Sequence, residues 1–213
     1  MRYVLLCLFL VFVSCRQQKK YHDTNKGSQD VTSVKLKSIL KFQEDLNTEY
    51  RDPETSPLPD KYRKNFEGLD FFTPDTTYVV QAKFERTPNA IPFLLGTTTG
   101  EKTREVVYGI AYFRLNGKEY QLEIYQSLDL IKQLKYKNYL FLPFLDESNG
   151  VETYGGGRYI GLTIPEGNTI EIDFNKAYNP YCVYNKKYSC PLVPRQNYLK
   201  TKVLVGVKDF VKK

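Results

Sequence analysis

The pattern of apolar residues divides the chain into one helical stretch and a longer region of strands. Between Ser33 and Arg51 the apolar side chains recur close to helical spacing, and they are Leu36, Ile39, Leu40, Phe42, Leu46 and Tyr50. This periodicity predicts an amphipathic helix that is capped by Thr32 or Ser33. The prolines between Arg51 and Pro59 end it, because proline cannot continue a helix.

From Tyr78 onwards apolar and polar residues alternate, which predicts strands. The predicted strands are Tyr78–Arg86, Ala90–Leu95, Arg104–Leu115, Glu119–Gln126, Tyr139–Phe144, Arg158–Ile164, Thr169–Phe174 and Tyr198–Val207. Asn116-Gly117 predicts a type I′ hairpin turn, and Leu128–Leu134 fits either a helical turn or a loop. We therefore expect a mainly β fold, an antiparallel β-sandwich or partly open barrel of about eight strands with the N-terminal amphipathic helix packed on it.

The first fourteen residues have the pattern of a signal peptide, with Arg2 followed by an apolar run from Tyr3 to Val13. That run is shorter than the roughly 20 residues needed to span a bilayer. Phe12-Val13-Ser14-Cys15 resembles the cleavage site of a bacterial lipoprotein, although Phe12 replaces the usual leucine. An ordinary cleaved signal is the alternative. The lipoprotein interpretation predicts that acylated Cys15 holds the protein in a lipid bilayer of the bacterial cell envelope, facing the periplasm or the surface.

Composition and charge suggest three regions: a signal peptide at 1–14, a lipid-anchored flexible linker at 15–32 and a single domain at 33–213. The chain from Arg16 to Lys41 carries seven basic and two acidic residues, whereas the remainder carries 23 basic and 22 acidic residues. Because the folded part is nearly neutral, nucleic acid is not an expected partner. Basic residues in the linker favour an anionic bilayer surface by about 1 kcal/mol each.

Histidine-based chemistry is excluded from the predicted domain, because the only histidine is His22 in the linker. A Ser-His-Asp or Cys-His arrangement and a histidine-bearing zinc site are therefore not available.

The polar residues between Asp146 and Pro191 are the candidates for chemistry. Arg158 has the parity of the apolar residues in its strand, so we expect it to point inward and to need a partner. The candidate partners are Glu152, Asp146 and Glu105. Asp173 lies opposite the core face of its strand, where it can face solvent or the following loop.

Three consecutive glycines, Gly155–Gly157, precede Arg158. A phosphate-binding loop would be followed by a helix, and here a strand follows. Glycine at a tight turn is one interpretation, and room for a ligand beside Arg158 is the other. Asp146–Glu152 lacks the spacing of a calcium loop. We expect no metal and no cofactor.

Cys182 and Cys190 enclose a nine-residue loop. A disulfide is the first interpretation for an exported protein, worth roughly 2.6 kcal/mol in the chain-entropy model. Free reactive thiols and a two-cysteine metal site are the alternatives.

Several motifs together resemble the uncharacterised DUF1684 family. They are ETYGGGRY at Glu152–Tyr159, DFNKAYNPYC at Asp173–Cys182 and YSCPLVPRQN at Tyr188–Asn197, and the similarity extends back to Ser56. The resemblance implies a predicted lipoprotein or a small single-domain protein, and it brings no established activity to this chain.

Three hypotheses for function remain open. In the first, the domain binds a small molecule, glycan or peptide through candidates at the strand ends, namely Arg158, Glu152, Tyr154, Asp173, Asn175, Asn179 and Arg104. In the second, Glu152 and Asp173 act as acid and base of an envelope hydrolase or lyase, which requires a separation of about 5 to 10 Å. In the third, the polar motif is a structural network.

Overall fold

The computed structural model describes residues 25–210, in which one sheet carries most of the regular structure. The helices are α1 (Asn25–Arg51) and α2 (Asp60–Arg63). The strands are β1 (Val79–Arg86), β2 (Phe93–Gly96), β3 (Lys102–Leu115), β4 (Lys118–Ser127), β5 (Tyr139–Asp146), β6 (Arg158–Thr163), β7 (Thr169–Asp173) and β8 (Tyr198–Leu199). Short 3-10 turns occupy the segment after β4 that was predicted as either a helical turn or a loop.

The sheet is a curled half-barrel of antiparallel strands, in the order β6-β5-β4-β3-β1-β7. β2 pairs with β3, and β8 pairs in parallel with β5. This confirms the mainly β fold class, and of the two predicted architectures it favours the partly open barrel. The hairpin turn between β3 and β4 has positive φ at both Asn116 and Gly117, as a type I′ turn requires.

Both faces of the sheet are covered by apolar side chains. The larger core uses alternate residues of the central strands, such as Phe113, Ile124 and Leu142. The intervening residues Tyr125 and Phe141 belong to a smaller aromatic cluster on the other face. This second face is where the structure leaves an open cleft.

Helix α1 packs on the β-rich domain as predicted, with Ile39, Leu46 and Tyr50 buried, and Leu46 and Tyr50 lie in a cluster with residues of the loops. It begins at Asn25 rather than at Ser33, so the part of the predicted flexible linker from residue 25 to 32 is helical. The sequence could not indicate this extension, because those residues show no apolar period.

The last predicted strand, Tyr198–Val207, is wrong for most of its length, because only the two residues of β8 pair in the sheet. Val203, Val205 and Val207 are buried in alternation, which explains the strand-like pattern. Their carbonyls do not continue the ladder but bind a buried arginine.

The predicted signal peptide, Cys15 and residues 15–24 of the predicted linker lie outside the described residues. Within residues 25–210 no helix has both the length and the apolar character needed to cross a membrane.

Candidate functional site

Arg158 is a buried cation that binds the C-terminal segment. It is the first residue of β6, and its side chain is 0% exposed. Nη2 donates to Asp146 Oδ2 at 2.8 Å and to the carbonyl of Val203 at 2.7 Å. Nη1 donates to the carbonyls of Val205 at 2.5 Å and Val207 at 3.4 Å. The inward orientation is confirmed, and of the predicted carboxylate partners it is Asp146 that binds.

The environment of Arg158 leaves no access for a ligand. Burial lowers the pKa of the guanidinium, and the Asp146 carboxylate opposes that shift. Removing both charges from water is costly, and good hydrogen bonds are needed to offset the cost. The backbone carbonyls supply them for both Nη atoms, whereas Nε has no hydrogen-bond partner within the described chain.

The triple glycine is explained by the turn that leads into β6. Gly157 has φ 89°, and a Cβ at this position would lie 2.6 Å from the carbonyl oxygen of Phe144. Only glycine tolerates both conditions. This supports the structural interpretation of the triple glycine.

Asn175, Asn179 and Asp173 also bind neighbouring loops. Asn175 accepts from the amide of Asp75 at 2.8 Å and donates to its carbonyl at 2.9 Å. Asn179 donates to the carbonyl of Lys208 at 2.9 Å. Asp173 accepts from the amide of Asn175 at 3.0 Å, so its carboxylate faces the following loop, one of the two predicted positions.

The remaining candidates are dispersed. Glu152 forms an ion pair with Lys202, Tyr154 lies beside the two late cysteines, and Arg104 is exposed on β3. Neither Glu152 nor Asp173, the predicted acid and base, lines the main cavity. The predicted candidates therefore form a loop-binding network together with scattered surface groups.

The open site is a cleft of about 630 Å³ on the second face of the sheet. One wall is helix α1, represented by Phe42, Leu46 and Glu49, and the other is the loop at 178–191. The floor consists of the starts of β3 and β5 and the end of β4.

Aromatic side chains dominate the cleft. Phe141 and Tyr159 meet edge to face with ring centroids 4.7 Å apart, and Tyr178 lies 6.0 Å from Tyr159. The hydroxyls of Tyr139 and Tyr178 are 3.5 Å apart. Burial raises the pKa of Tyr139 and of Tyr178, so both stay neutral at physiological pH. Such walls suit ring-shaped or apolar ligands.

A carboxyl group lies in this apolar cleft. Glu105 of β3 is 3% exposed, and within the described chain its Oε2 has no hydrogen-bond partner. Burial raises the pKa of Glu105, while the nearby hydroxyls of Thr103 and Ser127 oppose the shift. A buried carboxyl that lacks a full set of partners is unusual in a protein interior, and Glu105 is also one of the residues that line the cleft.

A β-bulge directs Glu105 into the cleft. The pairing of β3 with β4 shifts between Val107 and Gly109. Gly109 and the alternate residues after it face the larger core, whereas Val107 packs in the aromatic cluster on the other face. Glu105, two residues before Val107, therefore lies on the cleft face, away from Arg158.

A second carboxylate, Asp129, also lines the cleft. Its hydrogen bond from Lys132, at 2.6 Å, lowers the pKa of Asp129, and its charge raises the pKa of Glu105. The cleft thus combines a carboxyl that favours the neutral form with a carboxylate that favours the ionised form. No group of three or more His, Cys, Asp or Glu residues in the described chain is arranged to hold a metal ion.

Cys182 and Cys190 lie side by side at the cleft's loop wall. The amide of Cys182 donates to Sγ of Cys190 at 3.1 Å, and Cys190 itself lines the cleft. Both are free thiols in the structure, so the disulfide stays a prediction.

Sequence reasoning missed the cleft residues, although one signal was present. Glu105 is the one acidic residue in a predicted strand that is largely apolar on both faces, and Gly109 within the same strand is a typical position for a bulge. The aromatic lining gave no such signal, because strand aromatics usually belong to a core.

Comparisons with known proteins give a family but no activity. Residues 64–208 match the family model described as a protein of unknown function, DUF1684. The solution NMR structure of an uncharacterized protein from Haloarcula marismortui is similar, with 28% identity and a TM-score of 0.65, over 86% of this chain and 97% of that one. No curated protein matches the chain. The family match confirms the resemblance seen in the motifs, and the chain belongs to the DUF1684 family.

Proposed function

We propose that this protein is a membrane-anchored envelope lipoprotein whose β-rich domain binds a small ligand in the tyrosine-lined cleft. The observation that carries the binding proposal is the cleft of about 630 Å³ with the partly unpartnered carboxyl of Glu105 on its floor. A volume of this size fits the range of about 300 to 1,000 Å³ typical of small-molecule sites.

The lining indicates the class of ligand. Aromatic walls favour a sugar ring, an aromatic ring or the side chain of a peptide. Glu105 in its neutral form offers one O–H donor and further acceptor capacity. The ligand is therefore a ring-bearing molecule with at least one hydroxyl or amide that reaches Glu105, such as a glycan fragment or a short aromatic peptide.

The test uses a panel of monosaccharides, oligosaccharides and short aromatic peptides, with calorimetry on the wild type and on Glu105→Leu. Leucine at position 105 cannot form a hydrogen bond to the ligand, and it also removes the desolvation cost of the buried carboxyl. We expect the affinity for a bound compound to fall at least tenfold while the melting temperature rises. Glu119→Gln, on the exposed hairpin, is the matched control and leaves both unchanged.

Two results would contradict the binding proposal. One is that no compound of either class binds the wild type. The other is that Glu105→Leu lowers the melting temperature, since this would give the carboxyl a structural role.

The anchor is tested separately by replacing Cys15. In a bacterial host that acylates lipoproteins, the wild type partitions into the membrane fraction and incorporates labelled fatty acid. Cys15→Ser is expected to lose both properties. Retention of the variant in the membrane fraction without label would assign attachment to another part of the chain.

A carboxylate-dependent hydrolase or lyase is the second candidate, now centred on Glu105 and Asp129. Two carboxyls whose pKa values are displaced in opposite directions are the arrangement used for acid and base. Mass spectrometry of the same panel after incubation would detect turnover. Asp129→Asn is expected to abolish turnover and preserve binding if the site is catalytic; if no compound is consumed, the site only binds.

A further inference from the structure

The two late cysteines are arranged asymmetrically. Cys182 lies in the 3-10 turn Tyr181–Val183 and is half-buried, whereas Cys190 is 6% exposed. The amide of Cys190 donates to Thr98 Oγ1 at 3.1 Å, which fixes that end of the loop against the segment after β2. Cys182 is therefore the more exposed residue of the pair, and Cys190 is the more buried one.

The same asymmetry appears in their acidity. Interaction with Cys190, helped by the hydroxyls of Thr98 and Tyr154, lowers the pKa of Cys182, against the opposing effect of burial. The bond to Cys182 and burial raise the pKa of Cys190. These opposite directions favour Cys182 as the thiolate and Cys190 as the thiol, and no histidine base is needed.

We propose that Cys182 and Cys190 form a thiol–disulfide exchange site, in which Cys182 attacks a substrate disulfide and Cys190 resolves the intermediate. The substrate class is a disulfide, either in another protein or between two small thiols. The proposal depends on the two thiols alone and not on a ligand in the cleft.

The reaction balances in two steps. The Cys182 thiolate forms a bond to one substrate sulfur, and the substrate S–S bond breaks and releases a thiolate. Cys190 then loses its proton to solvent and attacks Cys182 Sγ, which closes the Cys182–Cys190 disulfide and releases the second substrate thiolate. The substrate is reduced by two electrons, and the cysteine pair is oxidised by two.

The first experiment equilibrates the full chain with mixtures of reduced and oxidised glutathione, followed by alkylation and peptide mass spectrometry. We expect the Cys182–Cys190 disulfide to form and disappear as the ratio changes. In Cys190→Ala, glutathione should accumulate on Cys182. In Cys182→Ala, much less glutathione should accumulate on Cys190. The same experiment with a disulfide-bonded protein in place of oxidised glutathione shows which source of disulfide reacts faster.

The second experiment measures the rate of alkylation of Cys182 against pH. In the wild type the rate should be half-maximal below the ordinary cysteine pKa of about 8.5, and Cys190→Ala should move that midpoint upwards, because it removes the main interaction that favours the thiolate. The readout follows individual peptides, so the other cysteines of the chain do not contribute.

Three outcomes would overturn the proposal. A disulfide that persists in excess reduced glutathione would be a structural cross-link. Glutathione attached to Cys190 in preference to Cys182 would reverse the assigned roles. If the pH midpoint for alkylation of Cys182 does not move in Cys190→Ala, the two thiols are not coupled.

Discussion

At the scale of single residues, Arg158 illustrates how a buried charge joins distant parts of the chain. Its guanidinium links Asp146, at the end of β5, to carbonyls of the C-terminal segment. Neither partner is near Arg158 in sequence. Arg158 therefore helps to hold the C-terminal segment, together with backbone hydrogen bonds such as the one from the Val207 amide to the Ala177 carbonyl.

We predict that Arg158→Met lowers the free energy of unfolding by about 3–5 kcal/mol, since it leaves the Asp146 carboxylate buried without its cation. Denaturant unfolding of this variant, of Asp146→Asn and of the double variant measures the effect. The double variant should lose about 1–3 kcal/mol less than the sum of the single losses.

Arg114→Met serves as the control for Arg158→Met. Arg114 pairs with Glu119 on the surface at 3.3 Å, and exposed pairs contribute about 1 kcal/mol or less. Equal losses for the two arginine variants would contradict the structural role of the buried ion pair.

A second residue-scale prediction concerns the pH dependence of Glu105. Because burial raises its pKa in the folded state, the folded protein binds its proton more tightly than the unfolded chain does. The resulting stability is fully present below the ordinary pKa and is lost as the pH rises through the raised value. Glu105→Gln should flatten the decline in unfolding free energy above the ordinary glutamate range, as measured by denaturant titrations at several pH values. Identical pH profiles would show that Glu105 is not perturbed.

At the scale of elements, the bulge in β3 determines which face receives Glu105. A Cβ on Gly109 would lie 2.5 Å from the Phe84 ring and 2.7 Å from the carbonyl oxygen of Glu85. The bulge therefore depends on close packing between β3 and β1, which glycine alone permits.

We expect Gly109→Ala to lower the free energy of unfolding by about 1–3 kcal/mol, because the added methyl group overpacks the contact with β1. Gly167→Ala is the matched control, since a Cβ there would meet nothing within 4 Å, and its effect should stay within about 0.5 kcal/mol. Thermal and denaturant unfolding compare the pair. A neutral Gly109→Ala would mean that the strands separate easily at the bulge.

Element positions were largely predictable from sequence because their patterns are local. The apolar alternation located most strands, and Asn116-Gly117 located the hairpin turn. The inward parity of Arg158 was also predictable, since β6 is regular. The predicted strand near the C terminus failed because it depends on long-range contacts. Its valines alternate as in a strand, but their carbonyls bind the side chain of Arg158.

The cleft was not predictable for the same reason. Its walls come from α1, the central strands and the loop at 178–191, which are far apart in sequence. Burial of alternate residues predicts which face of a strand is covered, but not whether the covering layer fills the space. The density of polar residues between positions 146 and 191 reflects loops that need hydrogen bonds rather than an open pocket.

At the scale of the whole molecule, the cleft depends on a contact between helix and loop. The Tyr181 hydroxyl donates to the Glu49 carboxylate, which joins the two walls across the opening. Tyr188 stacks edge to face on Tyr181 with ring centroids 5.2 Å apart and lines the same cleft. The loop is thus held by α1 as well as by the sheet.

We predict that Tyr181→Phe loosens the loop wall while leaving the sheet intact. Loss of a hydrogen bond to a charged group costs about 1.5–3 kcal/mol, so amides in segment 178–191 should exchange with solvent at least tenfold faster. Hydrogen-exchange mass spectrometry measures this, and peptides from β3 and β4 should not change. Tyr188→Phe removes the same atom from the same cleft but keeps the bond to Glu49, so its exchange should match the wild type. If both variants behave alike, the helix does not hold the loop, and the cleft walls are set by the sheet alone.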